Sequence, residues 1–193
     1  MGLSIAEVAP FSADVLMIDP PWQFESWSDK GHTAKAAAGQ YACIPTPDLC
    51  RMPIGHMAAP DAWVWLWATH PMLDDALQCM RAWGFHFVTS GVWVKRGGSG
   101  KLAFGTGYVL RCASEPFIIA RAGDPPLFSK SIRTVIEAPR RQHSRKPDVA
   151  YRTAETLFGP TARRLDVFSR QERPGWTAVG DQVDHFEKET ANV

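Results

Sequence analysis

The sequence predicts a single α/β domain built on a mainly parallel sheet with helices on both faces. Three observations carry this: short apolar runs alternate with helical patterns, the runs are apolar on both faces, and the breaks between them hold turn residues. The chain has 193 residues, 45% hydrophobic and 21% charged, which suits one ordinary domain with a full core. No apolar run approaches the roughly 20 residues that a membrane span requires. Met1 to Ile5 lacks the basic start of a secretory signal. Together with Cys43, Cys50, Cys79 and Cys112, which form no C-x-x-C pair, this predicts a cytoplasmic protein with reduced thiols and no metal site.

Along the chain, Val15 to Ile18 is an apolar run stopped by Asp19-Pro20-Pro21, a buried strand ending in a rigid turn. Phe24 to Tyr41 is polar and rich in Gly and Ala, so a loop. Thr46-Pro47-Asp48 reads as a short helix start. Ala62 to Ala68 alternates Trp63, Trp65 and Trp67 with Val64 and Leu66, a central strand whose tryptophans belong to the core. Pro71 opens a helix to about Trp83, with Leu73, Leu77 and Met80 on its apolar stripe and Gly84 closing it. Phe85 to Val94 is a strand, and Lys95 to Gly107 is a glycine-rich loop. Pro116–Ala120 and Thr134–Ile136 are further strands. Pro147 to Phe158 is a helix ended by Gly159-Pro160, followed by strands at Arg164–Phe168 and Ala178–Val179. In such sheets ligands bind beyond the carboxyl ends of the strands, which directs attention to Asp19–Trp22 and to Ser169-Arg170.

The net charge is only +1, but Lys95, Arg96 and Lys101 crowd one loop and Arg140, Arg141, Arg145 and Lys146 another. One such cluster is ordinarily a solvated face; two, both in loops, point to phosphate contact, with Arg111 between them. Several chemistries are absent. Lys95 stands where a P-loop needs Gly, and Leu102 where it needs Ser or Thr. There is no G-x-G-x-x-G, G-x-S-x-G or H-E-x-x-H. No Pro-Cys dipeptide exists to supply a cytosine-C5 nucleophile.

Asp19-Pro20-Pro21-Trp22 has a chemical rationale. The N6 lone pair of adenine is delocalised into the ring. An Asp carboxylate and a proline carbonyl, each accepting one N–H, favour a pyramidal nitrogen with its lone pair directed outward. Proline has no N–H and a fixed φ, so the turn presents acceptors rigidly. Trp22 is expected to offer a wall for an extruded base.

This motif after an apolar strand resembles the adenine-N6 methyltransferase family that contains the catalytic subunit of the eukaryotic messenger-RNA methylation complex and compact bacterial and phage enzymes. The resemblance runs from Val15 to Gln182 and implies a Rossmann-like fold dependent on S-adenosylmethionine. Its order is permuted, with the catalytic motif N-terminal and the cofactor strand C-terminal. Tyr41-Ala42-Cys43-Ile44 resembles the segment that holds the target base, implying that role for Tyr41. Phe104-Gly105-Thr106-Gly107-Tyr108 followed by Glu115 resembles the second active-site loop and its glutamate. His143-Ser144-Arg145-Lys146-Pro147-Asp148 is similar to a Ser-x-Lys-Pro signature, implying that Lys146 meets the cofactor's carboxylate or the reacting centre. Leu165-Asp166-Val167-Phe168-Ser169-Arg170 resembles Leu-Glu-Leu-Phe-x-Arg, implying cofactor contacts at Asp166 and Arg170. Gly180-Asp181-Gln182 resembles Gly-Asn-Gln, implying nucleoside contacts, although Asp181 replaces an amide donor.

The expectation is therefore methyl transfer from S-adenosylmethionine to adenine N6. Asp19 is placed at target and cofactor alike, and Tyr41, Lys95, Arg96, Lys101, Arg111, Glu115, Arg140 and Arg141 at the nucleic acid. DNA is the expected substrate of a compact monomer or homodimer of bacterial or phage type. The alternatives are an RNA enzyme, a non-catalytic subunit of the same fold and a small-molecule methyltransferase. Glu172 and Arg173 lie in a shortened loop and receive no role.

Overall fold

The computed structural model describes residues 3–23, 43–107, 109–141 and 145–183. Among them, seven strands form one sheet: β1 (Ala13–Ile18), β2 (Ala58–Trp67), β3 (His86–Arg96), β4 (Ser114–Ala122), β5 (Val135–Pro139), β6 (Arg164–Val167) and β7 (Thr177–Val179). The order across the sheet is β5-β3-β4-β2-β1-β6-β7. Neighbours pair in parallel except at β4, which runs antiparallel to both β2 and β3. The predicted α/β sheet is therefore present, with one reversed strand inserted near its middle.

Both faces are covered. On one side α1 (Thr46–Arg51), α2 (Ile54–Met57) and α3 (Leu73–Ala82) bury Leu49, Ile54, Met57, Ala76, Cys79 and Met80 against Leu16, Ile18, Val64 and Leu66. On the other, α4 (Asp148–Phe158) packs Ala150, Tyr151, Ala154 and Phe158 against Val15, Met17 and the three tryptophans of β2. Alternation along β2 thus sorts its side chains, with Trp63, Trp65 and Trp67 facing α4 and Val64 and Leu66 facing α1–α3. Trp63 stacks on Phe158 at 5.1 Å and Trp65 on Phe117 at 4.1 Å. The tryptophans are core, as the sequence indicates.

Some boundaries differ from expectation. His70–Met72 is a 3₁₀ turn leading into α3. Its tighter winding, with about three residues per turn, rotates the stripe that follows. Leu73 is consequently exposed, and Met72, Ala76, Cys79 and Met80 carry the buried face. Gly84, at φ +85°, ends the helix in a conformation that suits glycine. β3 runs two residues further than expected because Lys95 and Arg96 pair with Ala138 and Pro139 of β5. No helix of the described residues is long and apolar enough to cross a membrane.

Candidate active site

Strand directions bring the candidate residues to one edge. The carboxyl ends of β1, β2, β3 and β6 lie there beside the amino end of β4, because β4 is reversed. Asp19 follows β1, and its amide donates to the Val167 carbonyl at 3.2 Å, which fixes the turn against β6. The Pro20 carbonyl accepts the Trp22 N–H at 2.8 Å, and the Pro21 carbonyl accepts the Ile44 N–H at 2.9 Å. The chain on either side of residues 24–42 is thereby pinned at the motif.

Trp22 is a correction to the sequence reading. It is 4% exposed, belongs to the core, and donates its indole N–H to the Trp67 carbonyl at 3.2 Å. A ring so enclosed braces the turn from behind and is no open stacking wall. Tyr41 and the loop from Phe24 to Tyr41 lie outside the described residues, as do Tyr108, His143 and Ser144.

At the centre is a chain of alternating charge. Lys146 Nζ lies 2.6 Å from Asp19 Oδ2 and 3.0 Å from Glu115 Oε1, and Lys95 Nζ lies 2.6 Å from Glu115 Oε2. Lys146 is 5% exposed, with its ammonium 5.5 Å from the Trp67 ring centre. Burial would lower the Lys146 pKa, but the two carboxylates outweigh it and hold the lysine protonated. Burial likewise acts to raise Glu115, yet Lys146 and Lys95 together bring it below the usual carboxylate range. Asp19 is pushed the other way: burial raises it, and the Glu115 charge adds to the rise, against the pull of Lys146 and Arg170. Glu115 is thus the firmly ionised member and Asp19 the better proton acceptor.

A second buried cluster lies on the next strand. Asp166, 2% exposed, takes the Arg173 guanidinium at 2.8 Å, the Ser169 hydroxyl at 2.8 Å and the Tyr151 hydroxyl at 3.2 Å. Burial lifts its carboxyl to about 6 despite these partners, and burial also raises the Tyr151 phenol, which stays a neutral donor. The resemblance places Asp166 in contact with the cofactor; in the structure its oxygens accept from the chain's own Arg173, Ser169 and Tyr151. Arg170 follows β6 and lies near enough to Asp19 to lower its pKa. Phe168, just before, has φ +61°, a strained conformation for a non-glycine residue. Gly180 packs on the same turn, where an added Cβ would lie 3.1 Å from the Ser169 backbone. Asp181 is exposed and Gln182 half-buried beyond β7.

The basic residues divide. Lys95 turns inward to Glu115, Arg96 pairs with Glu137 at 2.9 Å, and Arg141 pairs with Asp148 at 2.6 Å. Each of these three thus has a carboxylate partner within the chain. Lys101, Arg111 and Arg140 are exposed, with Arg111 5.6 Å from the Phe104 ring. Sequence reasoning gave no role to Arg173, Tyr151 or Ser169; the only signal was an arginine close behind the Arg170 position. No group of three or more His, Cys, Asp or Glu side chains among the described residues is arranged to hold a metal ion.

Comparison with known proteins identifies the family. The model of the MT-A70 family matches residues 13–182. The N6-methyladenosine RNA methyltransferase MTA1 of Pyricularia oryzae is 31% identical over 191 residues, covering 91% of this chain and 48% of that protein. The human N(6)-adenosine-methyltransferase catalytic subunit METTL3 is 27% identical over 175 residues, covering 88% and 28%. Human METTL4, an N(6)-adenine-specific methyltransferase, is 25% identical over 188 residues, covering 90% and 38%. The chain thus spans between 28% and 48% of the length of these relatives, all eukaryotic, which lends no support to a bacterial or phage type. With the Asp-Pro-Pro-Trp turn, the buried lysine and the match over residues 13–182, this chain belongs to the MT-A70 family of adenine-N6 methyltransferases, as a relative of METTL3.

Proposed function

We propose that the chain transfers a methyl group from S-adenosylmethionine to the N6 amine of adenine in RNA. The observation that carries this reading is the partly buried Asp19 carboxylate, held by the buried Lys146 at the end of a central strand. RNA takes precedence over the DNA expected from compactness because MTA1 is named as an RNA methyltransferase and METTL3 as an adenosine methyltransferase.

The donor set suits the cofactor. Lys146 would supply positive charge for its carboxylate, Arg170 hydrogen-bond donors for its ribose hydroxyls, and Asp19 negative charge for its ammonium and sulfonium. Asp181 and Gln182 would hold its nucleoside. When bound, S-adenosylmethionine provides an electrophilic methyl group, so the chain's task is positioning and electrostatics. Asp19 accepts one N–H of the adenine amine. The Pro20 carbonyl, whose second lone pair is not used by Trp22, accepts the other. Together they hold the nitrogen pyramidal. As the nitrogen becomes a cation it loses one proton to an Asp19 oxygen, a transfer favoured by the raised carboxyl pKa. Glu115 and Lys146 keep the local charge balanced while this proton is held and released to water.

The test is incubation with radiolabelled S-adenosylmethionine and matched RNA and DNA oligomers, single and double stranded, followed by digestion to nucleosides. Label in N6-methyladenosine from RNA supports the proposal. Label confined to deoxyadenosine would return the substrate to DNA, and no labelled adenine in any oligomer would defeat the reading.

A further inference from the structure

The charge chain around Lys146 explains how Asp19 is poised, but not how Arg170 is aimed. Arg170 sits on an irregular turn. The turn begins at Phe168 with φ +61° and continues through Ser169 and Gln171, which lie beyond the end of β6. A strained turn keeps one conformation only when its surroundings over-determine it. Ser169 is fixed from two sides. Its amide donates to the Val179 carbonyl at 3.0 Å, and its hydroxyl lies 2.8 Å from Asp166 Oδ2. Asp166 is itself immobile in the middle of β6, between Met17 and Ala178 in the sheet.

Arg173 closes this arrangement. Its Nη1 donates to Asp166 Oδ2 at 2.8 Å, its guanidinium lies 3.8 Å from the Tyr151 ring centre, and its side chain is only 10% exposed. Its Nε lies 3.9 Å from Asp148 Oδ1, a longer contact to a half-exposed partner. Asp148 opens α4 two residues after Lys146, and Tyr151 lies one turn further along that helix. One planar cation therefore touches both segments that lead to the basic residues of the site: α4, which begins behind Lys146, and β6, whose following turn carries Arg170. Lysine could not reproduce this, because only guanidinium combines stacking on a ring with donors directed in its own plane.

We propose that Arg173 is a positioning residue for the cofactor: acting through Asp166, Ser169 and Tyr151, it holds Arg170 and Lys146 in the relative placement that binding requires. The inference rests on the reading of Arg170 as a cofactor-binding residue and deepens it. Arg173 itself touches neither substrate nor cofactor in this scheme.

The test is isothermal calorimetry of S-adenosylmethionine binding to the full chain, with wild type, Arg170→Ala, Arg173→Gln and Arg173→Lys compared, and unfolding midpoints measured in parallel. Arg173→Gln is expected to weaken binding at least fivefold, toward the level of Arg170→Ala, with a larger loss in affinity than in turnover at saturating cofactor. Arg173→Lys should recover less than half of that loss on a logarithmic scale. A purely structural role makes a different forecast: the midpoint falls, but the affinity of the folded protein stays within twofold of wild type, and that result overturns the inference. Should Arg173→Gln fail to fold, Tyr151→Phe carries the question, since it removes one donor to Asp166 and keeps the ring; affinity unchanged within 1.3-fold would count against the proposal. If wild type binds no cofactor, or Arg170→Ala binds as well as wild type, the underlying reading of the site fails instead.

Discussion

Replacing Lys146 by Met is the sharpest perturbation this site offers. Met keeps an unbranched stem against Trp67 while deleting the ammonium between Asp19 and Glu115. Glu115 retains Lys95 at 2.6 Å, so the loss falls on Asp19, whose carboxyl already lies above the ordinary range through burial and the Glu115 charge. Removing one partner of a buried pair costs about 3–5 kcal/mol when the remaining charge has no other relief. At about 1.36 kcal/mol per factor of ten, that is a loss of roughly 10² to several 10³ in methyl transfer at neutral pH. Relief comes from proton uptake. Asp19 is the group with the raised pKa, and without Lys146 its pKa rises further. A protonated carboxyl has surrendered one of the acceptors that the amine requires. The variant should therefore lose activity on acidification at a higher pH than wild type does, and regain part of it as pH rises. Single-turnover methyl transfer across a pH series, at saturating cofactor, reads both effects. Turnover within threefold of wild type at every pH would refute the account of Asp19 given above.

Asp19→Asn keeps the shape of the turn but supplies only one acceptor oxygen; methyl transfer at saturating cofactor should fall by more than about 10³, well beyond any loss of cofactor affinity measured by calorimetry. Nucleic-acid binding should weaken with salt. If Lys101, Arg111 and Arg140 each neutralise one phosphate of a single strand, their triple alanine variant should reduce the logarithmic salt slope by about 2 in fluorescence titrations, and an unchanged slope removes them from the interface. Two tryptophans should respond differently to replacement by Phe in urea unfolding. Trp65 has a buried indole N–H without a partner, so its loss offsets part of the cavity, whereas Trp83 donates to the Leu49 carbonyl at 2.8 Å and should cost about 1 kcal/mol more. Burial raises Asp166 to about 6, against about 3.9 in an unfolded chain, so the folded state binds more protons between those values. This group's contribution therefore falls as pH rises from about 4 to about 6, and Asp166→Asn should lack that component in unfolding curves.

The sequence was most informative where a residue's role follows from its immediate neighbours. Val15 to Ile18 reads as a buried strand because nothing in it tolerates water, and Asp-Pro-Pro after it can only be a turn. The tryptophans of β2 read as core on composition, and the sheet places them on one face. What escaped depends on long-range register. Nothing local in Ser114–Ala122 tells that β4 runs backwards, yet its direction brings Glu115 to the site. Lys95 looks like a loop cation until the pairing of Trp93 with Glu115 places it beside that carboxylate. Trp22 was legible as an aromatic at the motif, but not as one turned inward, since this depends on the Trp67 carbonyl 45 positions away. Arg173 was invisible for the same reason, since its partners Asp166 and Tyr151 lie on two elements that only packing brings together.

The pair at the heart of the site joins positions 127 residues apart, Asp19 near the start and Lys146 behind most of the sheet. Contacts of such separation close late, after the entropy of ordering the intervening chain has been spent. Until residues around Lys146 arrive, Glu115 has Lys95 as a counterion, but Asp19 lacks the ammonium that bridges the two carboxylates. Assembly of the reactive centre then coincides with completion of the fold, and a partly folded chain has no site with which to act.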